Sequence, residues 1–239
     1  MLDTFRAAMA ASAGGLPAAE LVPQRLAEAA AQVLPVAGVG LSLYFATGRR
    51  LPLGASDPVA ASAERLQFTV GEGPCLSAHA EQRALVADEA ELAERWPVFT
   101  AELVARTPVR GVIALPLEDG LAEVGVLDLY VVPPHRVGEL SVSDALVVTR
   151  EVTRVFQEAN GPGRPGGPAW LDSPAAQRRS LVWQAMGFVN VSLRVDSPEA
   201  LALLRAYAYG RGTDVDDVAA AVLDRSLPVD ALLAEADAP

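Results

Sequence analysis

The sequence predicts two folded parts: an α+β domain, a central antiparallel sheet with helices packed on one face, and an all-α three-helix bundle after it. Three observations carry this expectation. Segments of strand character fill the middle of the first 158 residues, between stretches of helical period. The run Asn160-Gly161-Pro162-Gly163-Arg164-Pro165-Gly166-Gly167-Pro168 denies the backbone both a helix and a strand ladder. Beyond it, three short apolar stripes of helical spacing each have their own start signal. The expected division is 1–159, a linker at 160–169, and 170–239.

The elements follow in order. Leu21, Leu26, Ala29, Ala30, Val33 and Leu34 recur at helical spacing, and Val39-Gly40-Leu41-Ser42-Leu43-Tyr44-Phe45 then shortens the period toward that of a strand. Leu85-Val86-Ala87 reads as a short strand, and residues 90–105 as an amphipathic helix. Val112-Ile113-Ala114-Leu115 and the segment from Val124 to Val131 read as a hairpin turned at Glu118-Asp119-Gly120. A closing helix is capped by Ser141 or Ser143, with Val142, Leu146, Val152, Val155 and Phe156 on one face. In the second part Ser173-Pro174 opens a helix running to about Leu193, since proline at the first turn forfeits no intrahelical bond. Ser197-Pro198 opens another that stops at Gly210, and Thr213, with Asp216 three residues on, opens a third through Val215, Val218, Ala219, Val222 and Leu223.

Composition narrows the classes of function. The 239 residues carry a formal charge of -11, which argues against broad attraction to phosphate backbones or acidic membranes, so any nucleic-acid site must be local. No apolar run approaches the length that crosses a bilayer, no signal-peptide stretch follows the N-terminus, and the expected location is the cytoplasm. The single cysteine, Cys75, rules out an internal disulfide, and two histidines, His79 and His135, could not close a zinc cage alone. No cofactor or metal is expected.

Two resemblances attach to these residues. Gly71-Glu72-Gly73-Pro74-Cys75, Leu85-Val86-Ala87-Asp88, Arg95-Trp96-Pro97 and Val124-Gly125-Val126-Leu127 resemble a GAF sensor domain over roughly residues 15–158. Residues 173–227 are similar to the ANTAR family: Gln184-Ala185-Met186-Gly187 stands for its first-helix core, usually Gln-Ala-Lys-Gly. Glu199-Ala200-Leu201 with Leu204, Arg205 and Ala208, then Asp217-Val218-Ala219 with Val222, complete the pattern. The resemblance implies a signal-responsive antitermination regulator that binds paired hairpins in leader RNA under control of a GAF sensor.

Charge points the same way. Arg178, Arg179, Arg194, Arg205 and Arg211 outnumber Asp196 and Glu199 on the first two helices of the bundle, whereas only Arg225 stands among the carboxylates beyond. Tyr207 and Tyr209 lie near Arg205, and aromatic and guanidinium planes stack unpaired bases. The candidate RNA-binding set is Arg178, Arg179, Gln184, Arg194, Arg205, Tyr209 and Arg211; an ordinary solvated arginine face is the alternative. Met186, in place of the family's lysine, offers no charge to a phosphate, and so a ligand-gated protein-interaction bundle that no longer binds RNA is the competing output.

For the sensor, Gly71, Gly73 and Cys75 are the candidate pocket residues, the glycines shaping a loop at the rim for a small-molecule or protein signal. Cys75 and His79 at helical spacing form a redox pair if they touch, and Cys75 is a buried, inert thiol otherwise. Trp96 reads as a packing anchor, Trp183 as core or interdomain contact and His135 as a loop residue. Leu146, Val152 and Phe156 offer a seam for a homodimer. Enzymatic activity is not expected: the sulfoxide reduction of some GAF relatives needs a second, resolving cysteine.

Overall fold

The computed structural model describes all residues except 46–48, 119–120, 122–123, 160–167 and 237–239. The Asp119-Gly120 turn and nearly all of the Gly/Pro segment therefore lie outside the described residues. The chain divides into two compact units, Met1–Gln67 with Glu72–Ala176, and Phe68–Gly71 with Gln177–Pro239. The division falls after Ala176, and Trp170 belongs to the first unit's apolar core.

The first unit is an α+β fold around five strands: β1 (Gly38–Tyr44), β2 (Arg50–Ala55), β3 (Leu85–Asp88), β4 (Gly111–Pro116) and β5 (Gly125–Val131). They are antiparallel throughout, in the order β2-β1-β5-β4-β3. Its helices are α1 (Leu2–Ser12), α2 (Val22–Val33), α3 (Pro58–Val70), α4 (Pro74–Glu81), α5 (Glu89–Arg95), α6 (Pro97–Arg106) and α7 (Val142–Ala159). Strand alternation sorts the sheet into two faces. Leu41 opposite Leu127, Val39 opposite Leu129, and Ile113 and Leu115 face α1, α2 and α7 in one apolar core. The other face carries Ser42, Tyr44 and Asp128, and α4 packs against β3, β4 and β5.

Helices thus cover both faces, where the sequence reading expected one. That reading missed α1, β2, α3 and α4: β2 is an edge strand interrupted by Pro52, and alanine-rich α3 has a weak apolar stripe. The helix expected over residues 90–105 is two, broken at Trp96-Pro97, because the residue before proline is pushed out of helical geometry (Trp96 φ -137, ψ 68).

Ser141 caps α7 by accepting a bond from Asp144 N–H at 3.2 Å. Val152 and Phe156 are buried in this unit's own core, so neither is available as the dimer seam expected of them. Glu151 on the same helix accepts from Arg6 Nε at 2.8 Å and from Arg154 Nη2 at 2.7 Å. Bonds from Arg154 and Arg6 hold its pKa down at about 2, against an ordinary 4.5. The stability Glu151 contributes is therefore complete above pH 4.5 and lost as pH falls toward about 2. Glu151→Gln should narrow the gap to wild type across that window, read by urea unfolding at stepped acid pH; a gap that widens on acidification would contradict the assignment.

The second unit is built from α8 (Pro174–Leu193), α9 (Ser197–Gly210), α10 (Val215–Leu223) and α11 (Ala231–Ala236). Val182, Ala185, Val189, Leu201, Leu204, Val215, Val218 and Val222 form its core with Phe68. Ser173 caps α8 through the Ala176 N–H at 3.2 Å, as expected. The other two expected caps shift by one residue. Asp196, not Ser197, closes a capping box with Glu199, since its carboxylate reaches the Glu199 N–H at 2.9 Å. Asp214, not Thr213, precedes α10 and makes no side-chain cap bond. Among the described residues no helix is long and apolar enough to cross a membrane.

Candidate functional sites

On the second face of the sheet, strand register gathers a buried polar network. Tyr44 lies opposite Arg50 and Gly40 opposite Asp128, so their side chains share one face. Glu64 and Gln67 descend onto it from α3. The Arg50 guanidinium pairs with Glu64, approaches Asp128 at 3.4 Å and donates to the Glu64 carbonyl at 2.7 Å. Ser42 Oγ donates to Glu64 at 2.7 Å and Tyr130 Oη also bonds it. Gly40 leaves the space the Glu64 carboxylate occupies; any Cβ there would overlap it.

Two carboxyls facing one guanidinium out of water cannot both stay ionised easily. Burial, then the neighbouring Glu64 charge, push Asp128 well above the ordinary carboxylate range. Burial, the largest single influence, penalises ionised Glu64, but the Arg50 charge and the hydrogen bonds from Asp128, Tyr130 and Ser42 together outweigh it, and Glu64 ends below its usual value. The arrangement is an Arg50–Glu64 ion pair with the Asp128 carboxyl beside it, its Oδ1 buried and without a hydrogen-bond partner.

The pocket residues expected from sequence sit around this network. Cys75 is fully buried, its N–H donates to Gln67 Oε1 at 2.8 Å, and its sulfur accepts from Tyr44 Oη at 3.3 Å. Burial pushes the thiol well above its ordinary pKa, which makes it the inert cysteine of the two readings rather than an activated thiolate. His79 stacks on Tyr44, ring centroids 3.8 Å apart, and burial lowers its pKa. Gly73, at φ 143, is a conformation that side chains rarely adopt, and a Cβ there would strike Gln67. Gly73 and Cys75 hold Gln67 in place. Gly71, also at positive φ, groups with the second unit.

Arg50, Glu64, Gln67, Asp128 and Tyr130 were not among the sequence candidates. One signal could have found them: Asp128 is a lone carboxylate inside an otherwise apolar strand, and such a group needs a buried partner. Trp96 is a packing anchor, its Nε1 bonded to Ser77 Oγ at 3.0 Å. His135 is exposed, 3.8 Å from Glu139, at an open cleft of about 940 Å³ also lined by Asp88, Arg110 and Arg136.

The second unit redistributes the expected RNA-binding set. Arg179 is fully buried and bidentate on Asp216, at 2.8 and 3.1 Å, with its guanidinium 3.5 Å from the Phe68 ring centroid. It is a core residue and leaves the candidate surface. Arg178 is exposed but paired with Asp217. Arg205 is largely withdrawn, its guanidinium 4.6 Å from the Phe68 ring centroid. Gln184, Arg194, Tyr209 and Arg211 are exposed.

These residues do not share one end of the unit. Asn190 Nδ2 on α8 donates to Ser197 Oγ at the start of α9, while Arg178 and Arg179 on α8 meet Asp217 and Asp216 at the start of α10. α9 therefore runs back along α8, which separates Arg194 from Tyr209 and Arg211 by about 20 Å of helix. Arg211 lies with its guanidinium 5.1 Å from the Tyr207 ring centroid. Met186 is buried in the bundle, and Trp183 meets Phe68 edge-on at 5.6 Å.

No protein-family profile matches the sequence, and no curated protein does. Among solved structures, the chain is similar to the GAF domain of a phosphoenolpyruvate-protein phosphotransferase from Coxiella burnetii: 13% identity, TM-score 0.46, covering 66% of this chain and 94% of that one. It is similar to free methionine-R-sulfoxide reductase from Neisseria meningitidis at 13% identity and TM-score 0.41, covering 65% of this chain and 91% of that one. It is also similar to SdiA from Escherichia coli at 15% identity and TM-score 0.44, covering 92% and 96%.

Proposed function

We propose that the chain is a signal-responsive antitermination regulator: the sheet unit is a GAF-type sensor, and the helical unit an ANTAR-type output that binds hairpin RNA. The observation that carries the output reading is the end of α9, where half-exposed Tyr209 follows Tyr207 and the Arg211 guanidinium lies over the Tyr207 ring. Aromatic and guanidinium planes side by side offer stacking surfaces to unpaired loop bases and a charge to the flanking phosphates. The family pattern fits a small bundle as well: Ala185, Ala200, Leu204, Ala208 and Val218 are buried, and Gln184 and Gly187 are exposed.

The sensor's signal acts on the output only if it binds two arrangements of the chain with different affinity. A titration of the full chain with a short dual-hairpin leader RNA tests the output. Tyr209→Ala should weaken binding about 5- to 100-fold, the loss of one stacked base. Arg211→Ala should lower the salt slope by about one. Affinity indifferent to both substitutions and to salt would defeat the RNA reading.

A specific observation favours a second reading. α8 exposes Gly187, Phe188 and Val191 on one strip, with Val191 81% and Phe188 42% exposed, and such an apolar strip suits a helix of a protein partner. If RNA binding fails while Val191→Glu abolishes association with a co-purifying protein, the output is a protein-interaction bundle.

A further inference from the structure

α3 supplies residues to both units. It runs unbroken from Pro58 to Val70, yet its residues through Gln67 group with the sheet, and Phe68–Gly71 group with the helical unit. Gln67 is held from two sides. Its Oε1 accepts the Cys75 N–H at 2.8 Å, and its Nε2 donates to Tyr130 Oη at 3.2 Å and approaches Asp128 at 3.5 Å. The Glu64 carbonyl takes Arg50 Nη1 at 2.7 Å, and by helical geometry the same oxygen takes the Phe68 N–H. The polar network thus grips the turn of backbone that places Phe68.

The next two residues serve the helical unit. Phe68 is fully buried, with the Arg179 guanidinium 3.5 Å from its ring centroid and Trp183 against it edge-on. Thr69 is 2% exposed, and its Oγ1 accepts the Val215 N–H at 3.2 Å. That bond satisfies a donor at the start of α10, where Asp214 makes no side-chain cap bond. Three successive helical residues project about 100° apart, so one amide, one ring and one hydroxyl reach different surroundings from a single turn. Backbone bonds and close packing fix their relative directions. A shift of Gln67 therefore carries Phe68 and Thr69 with it or breaks the last turn of α3.

We infer that α3 is the regulatory link of the regulator proposed above, passing the state of the sheet's polar network to the start of α10 and the Arg179–Asp216 pair. The link rests on that reading for its direction, from sensor to output, but the coupling is measurable without RNA. Thermodynamic coupling is reciprocal, so it must be readable from both ends.

Nuclear magnetic resonance of the full chain reads the helical end through hydrogen exchange of the Val215 amide. Tyr130→Phe deletes the hydroxyl that holds Gln67 but keeps the ring, and should speed that exchange about 10-fold. Val39→Ala, in the apolar core on the other face of the sheet, should not. The reverse arm labels Cys75, the single and fully buried thiol, with a soluble thiol reagent. Trp183→Leu, which removes the edge contact on Phe68, should speed labelling by a similar factor. Val222→Ala, about two turns along α10 from Val215, should not. Unchanged rates in Tyr130→Phe and Trp183→Leu, a response at one end only, or equal effects in the two comparison variants overturn the link. Titration with hairpin RNA keeps the two readings apart. If RNA fails to bind while both arms respond, the output role falls and the coupling stands. If RNA binds and neither arm responds, α3 is not the link and the output role stands.

Discussion

Arg50→Met is expected to destabilise the sheet unit by about 3–5 kcal/mol, because it strands two buried carboxyls without their cation. Methionine fills much of the arginine stem's volume, so the loss reports charge more than packing. The deficit should depend on pH. In wild type Arg50, with the hydrogen bonds at Glu64, holds the Glu64 pKa down, while burial and Glu64 hold that of Asp128 up. Without it, burial raises both groups above their unfolded values, the folded state binds more protons than the unfolded one, and stability falls as pH rises. The gap between variant and wild type should therefore widen from about pH 5 to pH 7 in urea titrations. A gap under about 1 kcal/mol, or one independent of pH, would mean that Arg50 does not hold the pair together.

Strands β1, β4 and β5 were legible because β1 shortens its period toward two and β4 and β5 are short, strongly apolar runs. The same pattern reading hid the network. A strand that is apolar on one side and carries Gly40, Ser42, Tyr44 and Asp128 on the other looks half-exposed, when in fact both faces are covered. α3, which supplies Glu64 and Gln67, has only a weak apolar stripe to announce it, and nothing local says that Arg50 of the edge strand turns inward to meet them. In the helical unit the stripes of α8, α9 and α10 were legible for the same reason as the strands. Partner choice was not: Asp216 and Asp217 are far in sequence from Arg179 and Arg178, and sign alone could not say which arginines meet carboxylates of their own chain.

That pairing gives the second large effect. Arg179→Met leaves Asp216 buried with its bidentate partner gone and is expected to cost the helical unit about 3–5 kcal/mol. A bundle of this size has little stability beyond that, so loss of helical signal at physiological temperature should follow. Adding Asp216→Leu should restore most of the loss, since two apolar side chains of similar volume replace a buried ion pair at little net cost. The double variant also separates structure from recognition. If Arg179 acts only inside the core, RNA affinity should fall with the fold in Arg179→Met and return with it in Arg179→Met/Asp216→Leu. If Arg179 instead touched RNA, the refolded double variant would remain impaired, and circular dichroism beside a binding titration distinguishes the two. The restored case is expected here, because a side chain with no exposed surface and both ends of its fork on one carboxylate has nothing left to offer a phosphate.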